Sequence, residues 1–331
     1  MLGVGVLFDD GGDDTYAAET LSQGASGFGV GLLLDRAGKD AYRAYNEAQG
    51  FGFTQGVGAL VDLDGDDAYF VNPGDPALGG DPLYASAQLP GKGNTSMAQG
   101  CGMGRRFDTV AEGVGLLGGL GILRDAKGND TYTASVFAQA SGFLGFGMLL
   151  DGSGDDTYEG LWYVQGSAAH LGMTFFHEGA GNDRYNPTFP IAATSIGVGH
   201  DFSVSVHLDE GGDDAYAGPG LSMGCGNSNG LGALVNVGGK DTFKAKSPYS
   251  LGGASPGEVR ESARGRMATF GLFVKAGGTA TYDSAPDRAP GGTWSYAPDN
   301  ALPDGGSDAG TFAPGPSKSV GVDRATGASL P

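Results

Sequence analysis

Along most of the chain, short apolar runs are interleaved with glycine instead of charge, and each run ends in an acidic, glycine-bearing turn. Gly29-Val30-Gly31-Leu32-Leu33-Leu34-Asp35 and Gly56-Val57-Gly58-Ala59-Leu60-Val61-Asp62 are the clearest copies. A period of two over so few residues predicts a strand, and it assigns Val30, Leu32 and Leu34 to the inward face. The other face carries Gly, Gly and Leu, too smooth and apolar for a charged, solvated surface. After the turn a second short strand carries an aromatic and runs to a Gln-Gly or Gln-Ala step at Gln23, Gln49, Gln99, Gln139 and Gln165. Glycine inside every strand pattern and the lack of a long 3.6-residue stripe argue against a helical bundle.

The unit repeats. Its second turn aspartate recurs at Asp14, Asp40, Asp67, Asp130, Asp156, Asp183, Asp214 and Asp241, with Ala280 in a ninth, degenerate copy. A period near 27 with insertions accounts for all the intervals. Two residues earlier stands glycine in every copy, as a tight turn demands. Two residues later stands Tyr or Phe, and five residues earlier stands a carboxylate in seven copies, then Asn236 and Lys275. One such unit cannot bury its own apolar residues, so the units must stack, about 4.8 Å apart. The prediction is an all-β parallel β-solenoid of about nine coils over residues 1–283. A propeller blade needs four strands in 40 or more residues, which this period does not supply. Insertions fall at about 72–94, 102–118 and 252–265; the last two bring Arg105, Arg106, Arg260 and Arg264, with Arg266 adjoining. From 284 to 331 the pattern fades amid Pro, Gly and Ser, which reads as a linker or disordered tail.

Composition sharpens this picture. With 65 glycines in 331 residues but no strict triplet period, and 40% hydrophobic residues, the chain is neither collagen-like nor disordered. A net charge of −19 disfavours nucleic acid and anionic membrane as partners and favours cations. There is no apolar run of membrane-spanning length and no signal-peptide pattern at Met1; the chain starts in mid-pattern, which suggests an excised domain, a misplaced start or export without an N-terminal signal. Cys101 and Cys225 stand four coils apart, about 19 Å, so the expectation is two buried thiols and no disulfide.

The acidic turn carries the chemistry. Gly152-Ser153-Gly154-Asp155-Asp156-Thr157-Tyr158 and Gly179-Ala180-Gly181-Asn182-Asp183-Arg184-Tyr185 resemble the nonapeptide of the repeats-in-toxin (RTX) calcium-binding β-roll. That resemblance covers about eight residues in each 27. It implies Ca²⁺ held between stacked turns by carboxylates and backbone carbonyls, with Asp14, Asp40, Asp67, Asp130, Asp156, Asp183, Asp214 and Asp241 as ligands. The sequence departs from the family in having one turn per long coil and Asp instead of Gly five positions earlier. That extra Asp has a metal-free reading as the opener of an Asx turn, and the second Asp can act likewise, so a self-sufficient ladder of Asx turns stands beside the calcium reading. Like charges repeated every ~5 Å nevertheless repel unless something compensates them.

All four histidines fall within 38 residues, as His170/His177 and His200/His207. Stacking would bring the pairs together near Glu178 and Asp209, a grouping suited to Zn²⁺ or acid–base work. The register puts His177 and His207 on opposite faces, which argues against Zn²⁺ there. The functional expectation is a non-catalytic extracellular or cell-surface module, a calcium-assisted solenoid whose partners are glycans or cell-surface proteins. The alternative is a carbohydrate-active β-helix enzyme, a polysaccharide lyase or hydrolase, with a groove under the arginine insertions made by Asp108, Arg105, Arg106 and the 252–265 loop; the fold alone does not warrant it.

Overall fold

The computed structural model describes residues 3–87, 89–91, 93–106, 115–188, 193–218, 220–245, 248–255, 264–283, 293–294 and 317–324. These form a stack of parallel coils with three walls, all β apart from short 3-10 turns. The first wall holds the glycine-alternating strands, Val4–Phe8, Val30–Leu34, Val57–Val61 and their successors, paired in register so that Gly31 lies beside Gly5 and Gly58. The second holds the strands after the acidic turn, Thr15–Ala17 to Thr279–Asp283. A third wall of two-residue strands, Gly102–Met103 to Ala254–Ser255, closes the coil and has no alternation long enough to read from sequence.

Corners are set by left-handed residues. Gln23, Gln49, Gln99, Gln139 and Gln165 all have φ between 52° and 54°. Each pays for this uncommon conformation with its side chain: Gln49 Nε2 donates to the Tyr42 carbonyl of its own coil, and Gln99 Nε2 to the carbonyls of Tyr69 in its own coil and Thr133 in the next. The Gln step is thus a corner latch.

The inward assignment of the first strands is reversed. Val30 is 42% exposed and Leu32 and Leu34 are at best half-buried, whereas Gly31, Leu33 and Asp35 point inside. The reason is the third wall: a Cβ on Gly31 would lie 2.3 Å from the Ala25 carbonyl oxygen, so only glycine fits where the walls meet. The interior column is Leu33, Leu60, Leu123, Leu149, Phe176, His207, Leu234 and Phe273, each at most 2% exposed. It packs on a continuous stack of rings from Tyr16 through Tyr216 to Phe243 and Tyr282, with successive centroids 4.5–5.5 Å apart. Stacked rings bury area and add attraction between themselves.

The segment read as a linker supplies another coil strand. Ser317–Arg324 pairs in parallel with Thr269–Ala276, and Thr293–Trp294 lies antiparallel on its far edge. Val320-Gly321-Val322-Asp323 repeats the first-wall pattern, a signal that the surrounding Pro and Gly concealed. The rest of 284–331 lies outside the described residues.

Candidate cation-binding ladder

The acidic turns stack so tightly that their glycines are obligatory: a Cβ on Gly128 would sit 1.4 Å from the Gly65 carbonyl oxygen, and φ there is 145°. The turn aspartate is thereby fixed pointing inward. Its Oδ1 accepts the backbone N–H of the matching aspartate one coil earlier, in an unbroken series: Asp14 donates to Asp40, Asp40 to Asp67, Asp67 to Asp130, Asp130 to Asp156, Asp156 to Asp183, Asp183 to Asp214 and Asp214 to Asp241, at 2.6–3.0 Å.

The carboxylate five positions earlier plays a different part. In Asp35, Asp62, Asp125 and Asp209, Oδ1 accepts an N–H two residues on, the Asx turn expected from sequence. Their Oδ2 atoms, and that of Asp151, accept the tyrosine hydroxyl of the preceding coil: Tyr16 to Asp35, Tyr42 to Asp62, Tyr69 to Asp125, Tyr132 to Asp151 and Tyr185 to Asp209, with Tyr158 to Glu178 Oε2 in the same role. Sequence reasoning gave these residues no calcium-ligand role and named Glu178 and Asp209 only beside the histidines. Their position brings them together with the turn aspartates: three carboxylate oxygens come within 4.8 Å of one another in Asp35/Asp40/Asp62, Asp62/Asp67/Asp125, Asp125/Asp130/Asp151, Asp151/Asp156/Glu178 and Asp183/Asp209/Asp214. The first four groups are linked by shared carboxylates, Asp62, Asp125 and Asp151; the fifth shares none.

In these groups the second oxygen of Asp40, Asp67, Asp130, Asp156 and Asp183 is buried with no protein donor. Burial, with neighbouring carboxylates adding to it, pushes the carboxyls of Asp67 and Asp156 up to about 8 and that of Asp183 to about 9, against the pull of the N–H that each accepts. A buried oxygen of this kind needs a proton or a cation. The all-oxygen donor set suits a hard cation such as Ca²⁺ and not a thiol- or imidazole-seeking metal.

A second column, on the solvent side, shows the contrast. At the position before the turn aspartate the chain reads Asp13, Lys39, Asp66, Asn129, Asp155, Asn182, Asp213, Lys240, a strict alternation of Asp with Lys or Asn. Each of these acceptors takes the N–H of the next coil, as in Lys39 to Asp13, Asn129 to Asp66 and Asp155 to Asn129. Where water is available no two carboxylates adjoin; where it is excluded the column is aspartate alone.

The eight predicted ligands are not equivalent. Asp14 lies at the open first coil and is half-exposed. Asp40, Asp67, Asp130, Asp156, Asp183 and Asp214 sit in the acidic groups. Among the described residues Asp241 belongs to no such group; its Oδ2 is met by the Lys275 ammonium.

The histidines divide as the register predicts. His207 is fully buried, stacked on Phe176 at 4.3 Å with Nδ1 3.2 Å from the Gln165 carbonyl, and burial lowers it to about 3, so it is neutral. His177 faces outward, 3.4 Å from Glu210, so the two do not form a Zn²⁺ site. His170 and His200 meet on the opposite corner from Glu178 and Asp209. His170 Nδ1 lies 2.5 Å from Asp201 Oδ2, His200 Nδ1 2.6 Å from Asn227 Oδ1, and both arginine insertions arrive there: Arg106 is 3.0 Å from His170 Nε2 and Arg264 pairs with Asp201. Asp201 is the carboxylate at that corner among the described residues; Asp108 and Arg260 lie outside them. Cys101 and Cys225 are free and buried, as expected. Among the described residues no helix is long and apolar enough to cross a membrane.

Comparison with protein-family models, with curated proteins and with solved structures returns no match to this chain.

Proposed function

We propose that the chain is a non-catalytic structural and binding module, a β-solenoid whose interior carboxylate ladder is neutralised by Ca²⁺. One observation carries the reading: the Oδ2 atoms of five buried turn aspartates, Asp40, Asp67, Asp130, Asp156 and Asp183, have no protein donor and each faces two further carboxylates, in a chain that separates its carboxylates with Lys or Asn in the exposed column beside them. The resemblance of the turn to the RTX nonapeptide points the same way, with a changed ligand set: the inward turn aspartates together with Asp35, Asp62, Asp125, Asp151, Glu178 and Asp209. The same resemblance carries the rest of the reading, a role outside the cell or on its surface, against glycans or surface proteins; all-oxygen ligation by itself is common to calcium sites of every affinity. The test is thermal unfolding of the full chain in chelator, in millimolar Mg²⁺ and in millimolar Ca²⁺. Calcium alone should raise the midpoint; superimposable curves in all three would leave a metal-free ladder of Asx turns.

The enzyme reading is favoured by one specific observation, the arrival of Arg106 and Arg264 beside the His170–Asp201 pair. Guanidinium groups recognise sugar carboxylates, and a His–Asp pair suits proton transfer. Its test is turnover and binding of a uronate oligosaccharide by the intact protein and by Arg264→Ala; no binding by the intact protein removes it.

A further inference from the structure

The column of positions five before each turn aspartate changes chemistry near its end, and the neighbouring oxygens respond. Where that column is acidic, the turn aspartate of the coil before keeps a buried oxygen without a protein donor, as at Asp40, Asp67, Asp130, Asp156 and Asp183. At the next step the column holds Asn236, whose Nδ2 donates to Asp214 Oδ2 at 3.1 Å and lies 3.0 Å from the Tyr216 hydroxyl. At the step after that it holds Lys275, wholly buried, with its ammonium against Asp241 Oδ2. Strand register places Asp209, Asn236, Lys275 and Asp323 side by side, so these are successive occupants of one column. The same oxygen of the same residue is met by nothing from the protein, then by an amide, then by a cation.

A lysine is almost never buried completely unless paired, because its charge must be compensated. Its presence identifies what the space beside the turn aspartate takes. Neutral protonated carboxyls would satisfy the acidic steps without any positive charge, and a column built on them would have no use for an ammonium at its end.

We propose that Lys275 is a tethered counterion that takes the place of the soluble cation at the last aspartate step, so that the solenoid has a cation-requiring section from Asp35 to Asp214 and a cation-independent section from Asn236 onward. This rests on the calcium reading above and deepens it. Coils of a solenoid contact only their neighbours, so the two sections can differ in local stability.

The experiment is hydrogen exchange of the full-length protein in Ca²⁺ and in chelator, with bound Ca²⁺ counted by equilibrium dialysis, for wild type, Lys275→Met and the double variant Asn236→Asp/Lys275→Asp. In wild type, chelation should reduce protection about tenfold in Ala68–Val71, Thr131–Thr133 and Thr157–Glu159 and leave Lys240–Ala245 unchanged. Lys275→Met should lose protection in Lys240–Ala245 in both buffers. The double variant should bind one more Ca²⁺ than wild type and protect Lys240–Ala245 only when calcium is present. Wild type alone suffices if a variant does not fold: a calcium response of Lys240–Ala245 equal to that of the acidic coils overturns the tethered-counterion assignment while leaving the calcium reading standing. So does a folded double variant with no added Ca²⁺. Absence of bound Ca²⁺ and of any calcium response in wild type overturns both together.

Discussion

The Asp130 backbone N–H donates to Asp156 Oδ1 at 2.6 Å, and the other oxygen of Asp156 is left buried without a donor from the protein. One carboxylate therefore holds two coils together through one atom and incurs a desolvation cost through the other. The two contributions separate by substitution. Asp156→Asn keeps an acceptor for Asp130 and removes the charge, so in chelator it should be as stable as wild type or more so, and in Ca²⁺ less stable. Asp156→Ala removes both and should cost about 1–3 kcal/mol in chelator, where the Asp130 N–H becomes an unpaired buried donor. Urea unfolding in the two buffers measures the four values.

The response to pH follows from the raised carboxyls. Burial lifts Asp67, Asp156 and Asp183 from their ordinary range to about 8, 8 and 9, so the folded state binds protons more tightly than the unfolded chain. Stability from these groups is fully present below their unfolded value near 4 and is lost as pH rises through 8–9. Chelated protein should therefore melt at a higher temperature at pH 5 than at pH 8.5, the reverse of ordinary carboxylate behaviour. Saturating Ca²⁺ should flatten or invert that slope, because it competes with protons for the same oxygens. A melting temperature in chelator that rises steadily from pH 5 to 8.5 would contradict the buried, donor-poor placement of these oxygens.

Calcium linkage has a size. A ligand that binds only the folded chain stabilises it by about 2.7 kcal/mol per site at a hundredfold excess over Kd. With five acidic groups, even partial occupancy should displace the thermal midpoint in Ca²⁺ well above that in chelator. Mg²⁺ at equal concentration should do far less, since it demands a tighter octahedron and sheds water reluctantly. Differential scanning calorimetry in the three buffers gives the comparison.

The turn glycines can be ranked by what a side chain would strike. Gly154→Ala puts a Cβ 1.4 Å from the Gly128 carbonyl oxygen at a φ of 157°, which no rotamer change relieves, and it should cost more than about 3 kcal/mol or prevent folding. Gly220→Ala meets nothing within 4 Å and should be within about 0.5 kcal/mol of wild type. Equal losses in urea unfolding for the two variants would dismiss the stacked-turn packing.

Truncation after residue 283 removes Ser317–Arg324 from the last coil, with the bond from the Tyr282 hydroxyl to Asp323 Oδ2 at 2.8 Å. It also uncovers the fully buried Phe273 edge. A 1–283 chain should lose several degrees of melting temperature relative to full length, by about the 1–3 kcal/mol that exposing one large apolar side chain costs. A change of under a degree would restore the linker reading of the whole segment.

The sequence by itself determined the period, the parallel stacking of coils, the glycine turns and the aromatic ladder, because each is a column that must repeat whenever identical units lie in register. It also separated His177 from His207, since His177 stands six residues before its turn aspartate and His207 seven before its own, which puts them on opposite faces of the wall. What it did not contain was the facing of the first strands. Alternation distinguishes two sets of residues without saying which lies inside; that was decided by the third wall, whose two-residue strands leave no pattern and whose carbonyls touch Gly31. The same holds for the acidic groups. Asp151 opens its own turn, a local property written in the sequence, but it also accepts the Tyr132 hydroxyl of the coil before and lies beside Asp156 and Glu178. Those contacts depend on the side chain pointing into a space from which stacked rings and neighbouring turns have excluded water, and exclusion of water is a property of the assembled coils and of no single one.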